Sequence, residues 1–245
     1  MRKDIIDIDK EKGLVQVTTP DERWYGRLND KDEREWIPSV TWITNYYPKG
    51  KGFELWLASK GIDESEQIKR EAGTKGTKIH KAIENLVSGL PVKMDDKFEN
   101  KETGELEELT VDEYEATISF ANWWKTLKNP KLIMSEEVCW NNEHNYAGTI
   151  DLVLEIDGVK WIIDLKSSKD IYPSHRLQVS AYKHALAGDY KLGILQVGYP
   201  RNKNKYKFTE IEDQFDLFLS AQKIWANETA GQKPLQRDFP IEIKL

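Results

Sequence analysis

YAGTIDLVLEIDGVKWIIDLK, residues 146–166, holds one Asp-Gly pair, Asp157-Gly158, between two runs of alternating apolar residues. Asp-Gly in that setting predicts a β-hairpin whose two turn residues both take positive φ. A two-residue loop fixes the register, so Ile156 is expected to face Val159, and Asp151 to face Asp164. Lys166 lies two residues past Asp164 and shares its side of the strand, while Ile150, Leu152, Leu154, Ile163 and Leu165 point the other way into a core. Like charges directly opposed cost a sheet stability. A divalent cation offsets that cost, because a hard ion such as Mg²⁺ accepts oxygen ligands from two adjacent strands. The plainer alternative is a solvated pair of acids partly neutralised by Lys166, and Asp-x-Lys alone is too common to exclude it.

Outward from this hairpin, the pattern alternates helices and strands. A small hairpin is expected over residues 4–18, with a turn at Lys12-Gly13, followed by a short helix after Ser39 and another over residues 53–59. A third helix is expected over residues 77–87. Residues 93–109 are highly charged and read as a flexible or flap-like connection. Thr110 and Glu113 form a capping-box pattern for a helix through Trp123, Trp124 and Leu127. Strands are expected over 131–140, 146–156 and 159–166, a helix over 174–187, strands near 192–199 and 205–211, and a last helix over 213–229. This order predicts an α/β fold, a central mixed β-sheet covered by helices. The expected organisation is an N-terminal hairpin extension over residues 1–36 and one domain over 37–245.

The 245 residues are 39% hydrophobic and 32% charged, which suits one sizeable core. A single cysteine, Cys139, leaves no internal disulfide and no four-cysteine iron-sulfur cluster within the chain. The N-terminal residues carry neither a secretory pattern nor an Arg-rich one, and no apolar run of about 18 residues is present, so a cytoplasmic protein without a membrane partner is expected. Lysines and arginines number 36 against 42 acids, which argues against nonspecific coating of nucleic acid but permits a local basic groove.

Further residues enter by their spacing. His80 and Glu84, four apart, share one helix face beside the apolar stripe of Ile79, Ile83 and Leu86, and an imidazole at that edge is a possible third metal ligand. Ahead of them Gly73, Gly76, Thr77 and Lys78 suggest a glycine-rich helix start that bares backbone N–H groups to phosphate, although no P-loop spacing is present. Gln178 and Tyr182 lie four apart on the helix after Lys166. The short crossover through Ser167 and Ser168 brings them back over the same end of the sheet. Glu137 on the preceding strand is a further candidate, in a register that the intervening loop leaves open. Two lysine-rich groups, Lys49, Lys51, Lys75 and Lys78, and Arg201, Lys203, Lys205 and Lys207, are candidate strand-binding or simply solvated faces.

The ordered set Gly76-x-x-x-His80-x-x-x-Glu84, Gly148-Thr149-Ile150-Asp151, Asp164-Leu165-Lys166-Ser167-Ser168 and Gln178-x-x-x-Tyr182 resembles the RecB-type branch of the PD-(D/E)xK nucleases. With Pro38-Ser39-Val40-Thr41 in front, it is most similar to the mitochondrial genome maintenance exonucleases and their phage and bacterial relatives. The likeness covers roughly residues 38–199. Ile150 stands where the family name has proline.

The resemblance implies a restriction-endonuclease-like core with Asp151, Asp164 and Lys166 as catalytic residues. It further implies that His80, Asp151, Asp164 and the Leu165 carbonyl hold one or two Mg²⁺ or Mn²⁺ ions. Glu84, Gln178 and Tyr182 then take supporting roles, and Ser167, Thr77, Lys78, Trp42, Tyr46 and Tyr47 contact DNA. The expected activity is metal-dependent exonuclease action on DNA, from free ends of single strands, during replication, recombination or repair, with recombination or replication proteins as partners. A double-strand end-processing exonuclease of phage type, and a non-catalytic DNA-binding module of a helicase-nuclease complex, are the alternatives.

Overall fold

The computed structural model describes residues 4–9, 13–18, 22–29, 31–101, 103–230 and 234. The predicted hairpin forms the centre. β8 (Tyr146–Ile156) and β9 (Val159–Lys166) pair antiparallel, with Ile156 opposite Val159. Asp157 and Gly158 both take positive φ, 51° and 82°, as the turn requires. The ladder ends at Leu152–Ile163, one step short of the two aspartates. There the Leu165 N–H donates 2.6 Å to Asp151 Oδ2 in place of a strand partner. Asp151 and Asp164 are thus neighbours across an opened strand pair rather than a ladder pair.

β7 (Lys131–Asn141) flanks β8, and β10 (Lys191–Val197) lies parallel to β9, with β11 (Tyr206–Ile211) at the edge. The result is a five-stranded mixed sheet in the order β11-β10-β9-β8-β7. Parallel neighbours need a crossover, and α5 (Pro173–Ala185) supplies it between β9 and β10. One face of the sheet carries α1 (Val40–Thr44), α5 and α6 (Phe215–Glu228), which bury Ile43, Leu177 and Phe218 against Val153, Ile162 and Ile194. The other face carries α3 (Ile62–Val87) and α4 (Val111–Trp124), which bury Ile79, Ile83, Phe120 and Trp123 against Leu152, Leu154, Ile163 and Leu165. Ile150 departs from the expected alternation and packs in the first core with Val153. The break falls at Asp151, opposite Glu136, a residue held at φ 53°.

The N-terminal part is larger than the expected hairpin. β1 (Asp4–Asp9), β2 (Leu14–Thr18), β3 (Arg23–Leu28) and β4 (Arg34–Pro38) form an antiparallel sheet in sequence order. Lys12 of the expected turn lies outside the described residues, as do the side chains of β1. This sheet is docked on the domain: Ser39 bridges Ala147, and the Tyr25 hydroxyl lies 2.8 Å from Thr149 Oγ1.

α2 (Lys51–Lys60) precedes α3, which runs unbroken through Gly73 and Gly76. The glycine-rich stretch is therefore helix interior, its N–H groups are committed to the helix, and no phosphate-binding helix start exists there. The charged stretch over 93–109 contains β5 (Lys97–Glu99) and β6 (Leu106–Glu108), a hairpin anchored by buried Phe98 against Ala82 and Leu109. The capping box at Thr110 and Glu113 is present in full. Among the described residues, no helix is long and apolar enough to cross a membrane.

Candidate metal centre

A cavity of about 960 Å³ opens over the parting of β8 and β9. Its walls come from α3, the N-terminal sheet, the β5–β6 hairpin and the start of α5. Six lysine and arginine side chains line it against four carboxylates, which reverses the balance of the chain as a whole, 36 against 42. The lining is thus locally richer in basic side chains than the chain as a whole, although Lys78, Lys81 and Lys166 are ion-paired.

On its floor His80 Nδ1 lies 3.5 Å from both Asp151 Oδ1 and Glu136 Oε1. The ligand atoms of His80, Glu136 and Asp151 all fall within 4.8 Å of one another. Asp164 Oδ1 is buried without a hydrogen-bond donor, and buried Glu136 Oε1 has only the 3.5 Å contact with His80 Nδ1. Buried carboxylate oxygens left without donors are costly and ask for a partner. Asp164 stands outside the three-residue cluster, with its Oδ2 ion-paired to Lys166 Nζ at 2.7 Å. Lys166 Nζ also reaches Gln178 Oε1 at 3.3 Å, and Gln178 Nε2 donates to the Tyr182 hydroxyl at 2.8 Å.

The protonation states follow from these contacts. Burial opposes a charged His80, yet Asp151 and Glu136 outweigh it and raise its pKa to about 10. Burial also works against the Asp151 carboxylate, but His80, Lys166 and the Leu165 N–H hold its pKa below the usual value. Asp164 is shifted the other way, up to about 6, by its burial and by the neighbouring charge of Asp151, against the pull of Lys166. Lys166 is desolvated, but the two aspartates keep its pKa raised, so its ammonium is a donor here and not a base.

No protein-family model matches the chain, and no curated protein matches it.

The structure brings together most of the expected residues. His80, Glu84, Asp151, Leu165, Lys166, Ser167, Gln178, Tyr182, Thr77 and Lys78 all line the one cavity. Glu137 does not: it is exposed on β7, and its neighbour Glu136 faces the site instead. The β7–β8 register sets Glu137 against Ile150 and leaves Glu136 abreast of Asp151. Lys78 is buried and ion-paired to Glu113 at 3.0 Å and Glu107 at 3.3 Å, so it braces the β5–β6 hairpin rather than offering a free charge. Glu84 is paired to Lys81 at 2.6 Å. Trp42, Tyr46 and Tyr47 are packing residues: Trp42 is 4% exposed and meets Trp24 and Trp225 edge-on at 4.8 and 5.1 Å, Tyr46 packs beside them, and Tyr47 joins the α5 core. The apolar area of Trp42 and Tyr46 serves the docking of the N-terminal sheet.

Gly148 explains one spacing. A Cβ built there would stand 2.5 Å from Tyr182 Cε1, so the aromatic ring that orients Gln178 rests on bare backbone. Tyr182 is only 2% exposed and has little room to retreat. Gly148→Ala is expected to cost about 1–3 kcal/mol of stability. A denaturant midpoint equal to wild type would show that the ring moves freely.

His175, at the start of α5, also lines the cavity and was not foreseen. Burial, then the Lys166 charge, lower its pKa to about 3. The unfolded chain takes up a proton below about pH 6.5 that the folded chain refuses, so stability is lost as pH falls from 6.5 toward 3. His175→Gln is expected to recover about 1 kcal/mol at pH 5 after allowance for solvent screening, and nothing at pH 8. Denaturant melts at the two pH values check this.

Proposed function

We propose that this protein is a metal-dependent nuclease of the PD-(D/E)xK type, with a restriction-endonuclease-like core, acting on DNA from free ends. The observation that carries the reading is the opened β8–β9 pair, where Asp151, Asp164 and Lys166 meet the His80–Glu136–Asp151 cluster. The donor set fits Mg²⁺ or Mn²⁺: carboxylate oxygens dominate, one imidazole is added, and Asp164 Oδ1 is buried without a donor. His80, Glu136 and Asp151 are the residues that would hold the ion, with Asp164 beside them. When bound, it supplies Lewis acidity toward a phosphodiester.

The chain's own residues define the rest. Lys166, kept as an ammonium by Asp164, donates to a phosphoryl oxygen and offsets the charge that builds there. Gln178 fixes the Lys166 head, and Tyr182 fixes Gln178. Asp164 holds Lys166 from below and shares its counter-charge. The Leu165 N–H pins one Asp151 oxygen, which leaves Oδ1 turned toward His80.

The test is a time course on 5′-labelled and 3′-labelled linear single strands, a duplex and a closed circular single strand, with Mg²⁺ or EDTA. Metal-dependent loss of linear strands with the circle intact is expected, and the label released first gives the polarity. Cutting of the circle would replace exonuclease with endonuclease, and no cleavage of any substrate would remove the reading. A paired check separates the two glutamates: Glu136→Gln is expected to weaken Mn²⁺-induced thermal stabilisation by tenfold or so in metal concentration, and Glu137→Gln to leave it unchanged.

A further inference from the structure

Two cations that line the cavity come from separate elements of the fold. Arg23 comes from β3 and Lys101 from the turn between β5 and β6, and both line the cavity over the metal centre. Most lysines nearby are spoken for: Lys75 pairs with Asp112, Lys78 with Glu113 and Lys81 with Glu84. Arg23 and Lys101 make no ion pair or side-chain hydrogen bond among the described residues. Lys101 is exposed at its turn, yet desolvation at the cavity mouth, followed by the Arg23 charge, holds its ammonium below its usual pKa. The carboxylates of Glu136 and Glu99 act on it in the opposite sense and more weakly.

The Arg23 charge disfavours the Lys101 ammonium. Like charges brought together from two separate sheets repel, and an anion between them turns that cost into attraction. The planar guanidinium of Arg23 offers a two-pronged grip on phosphate oxygens, and Lys101 adds a point charge. Glu136 links this pair to the metal cluster, because its charge reaches Lys101 while its carboxylate lies beside His80.

We propose that Arg23 and Lys101 form a phosphate clamp that holds a second phosphodiester of the bound strand, beside the one presented to Asp151 and Lys166. The proposal rests on the nuclease reading above and adds a role for the N-terminal sheet and the β5–β6 hairpin: each contributes one of the two cations. The contact reads backbone charge and carries no base preference.

The experiment is fluorescence anisotropy of a labelled single-stranded oligothymidylate in EDTA over a KCl series, with wild type, Arg23→Gln, Lys101→Gln, the double variant and Lys125→Gln. Lys125, exposed at the end of α4, is the control. Thermal melts establish that every variant is folded. The double variant is expected to bind about tenfold more weakly at low salt, and its slope of log affinity against log salt should be shallower by about 0.7, the share of one single-strand phosphate. With Mg²⁺ the same loss should appear in KM. Lys125→Gln should match wild type.

A double variant with wild-type affinity and slope overturns the clamp alone, provided that wild type binds and cleaves. A wild type that neither binds nor cleaves the strand overturns the clamp together with the nuclease reading. Inorganic phosphate is the remaining arm. If it stabilises wild type and not the double variant, while oligonucleotide binding is equal in both, the pair holds free phosphate and the strand clamp is wrong.

Discussion

Lys166→Ala is expected to lose metal-dependent cleavage by at least about a thousandfold while keeping its affinity for DNA. The two halves of that expectation have one cause. Lys166 and Asp164 are a buried ion pair at 2.7 Å, and Asp164 already has a pKa of about 6 from its burial and from Asp151. With the ammonium gone, nothing offsets that burial, and Asp164 takes up a proton at neutral pH. The pair changes from plus-and-minus to neutral, so the charge felt by an approaching strand is unaltered. The donor aimed at the phosphoryl group is nevertheless removed. Removal of one partner from a buried pair costs several kcal/mol when the other stays charged, and protonation of Asp164 spares much of that cost. Measurement of single-turnover cleavage with Mg²⁺, and of oligonucleotide binding in EDTA, checks both halves. Cleavage equal to wild type would sink the role given to Lys166.

The same pair shows how far a sequence carries such a reading. The Asp157-Gly158 turn fixes register because both residues must accept positive φ, and register in turn fixes which side chains share a face. Asp151, Asp164 and Lys166 could be juxtaposed from that rule alone. Gln178 and Tyr182 were legible because a helix after a parallel crossover returns over the strand ends. What the rule missed is the departure from regularity. The ladder stops at Leu152–Ile163, Glu136 adopts a left-handed backbone, and β7 carries a register shift between Leu132 and Met134. Each of these depends on packing across strands, so alternation along β7 could not tell Glu136 from Glu137.

Composition misled in two places for a physical reason. In β3, Trp24 and Tyr25 are neighbours and both are buried, at 3% and 1% exposure, because one faces Trp42 and the other Thr149. A strand covered on both faces has no alternation to detect. The charged run over 93–109 hid a hairpin whose anchoring depends on Phe98, and whose lysines and glutamates pair with α3 or line the cavity. Trp42 carried the opposite error. Tryptophan and tyrosine suit base stacking and core packing equally, and only the position of Trp24 and Trp225 decides that Trp42 packs.

Asp151→Asn is expected to abolish both cleavage and metal-induced stabilisation while leaving the fold intact. Asparagine keeps the shape, and its carbonyl oxygen can still accept the Leu165 N–H that Asp151 Oδ2 now accepts. The negative charge shared with Glu136 is what disappears. A cation present at a hundred times its dissociation constant stabilises wild type by about 2.7 kcal/mol, and the variant should show none of it. The metal-free proteins should differ in their pH dependence. In wild type, His80 titrates at about 10 instead of 6.5, with Asp151 and Glu136 outweighing the burial that opposes its charge. Its protonation therefore stabilises the fold fully below pH 6.5, and that contribution is lost as pH rises through about 10. In the variant only Glu136 remains to hold the imidazolium, so the decline in EDTA between pH 7 and 10 should be shallower than in wild type. Thermal melts with Mg²⁺, with Mn²⁺ and with EDTA across that range provide the test. A full metal-induced shift in Asp151→Asn would place the ion elsewhere in the cavity.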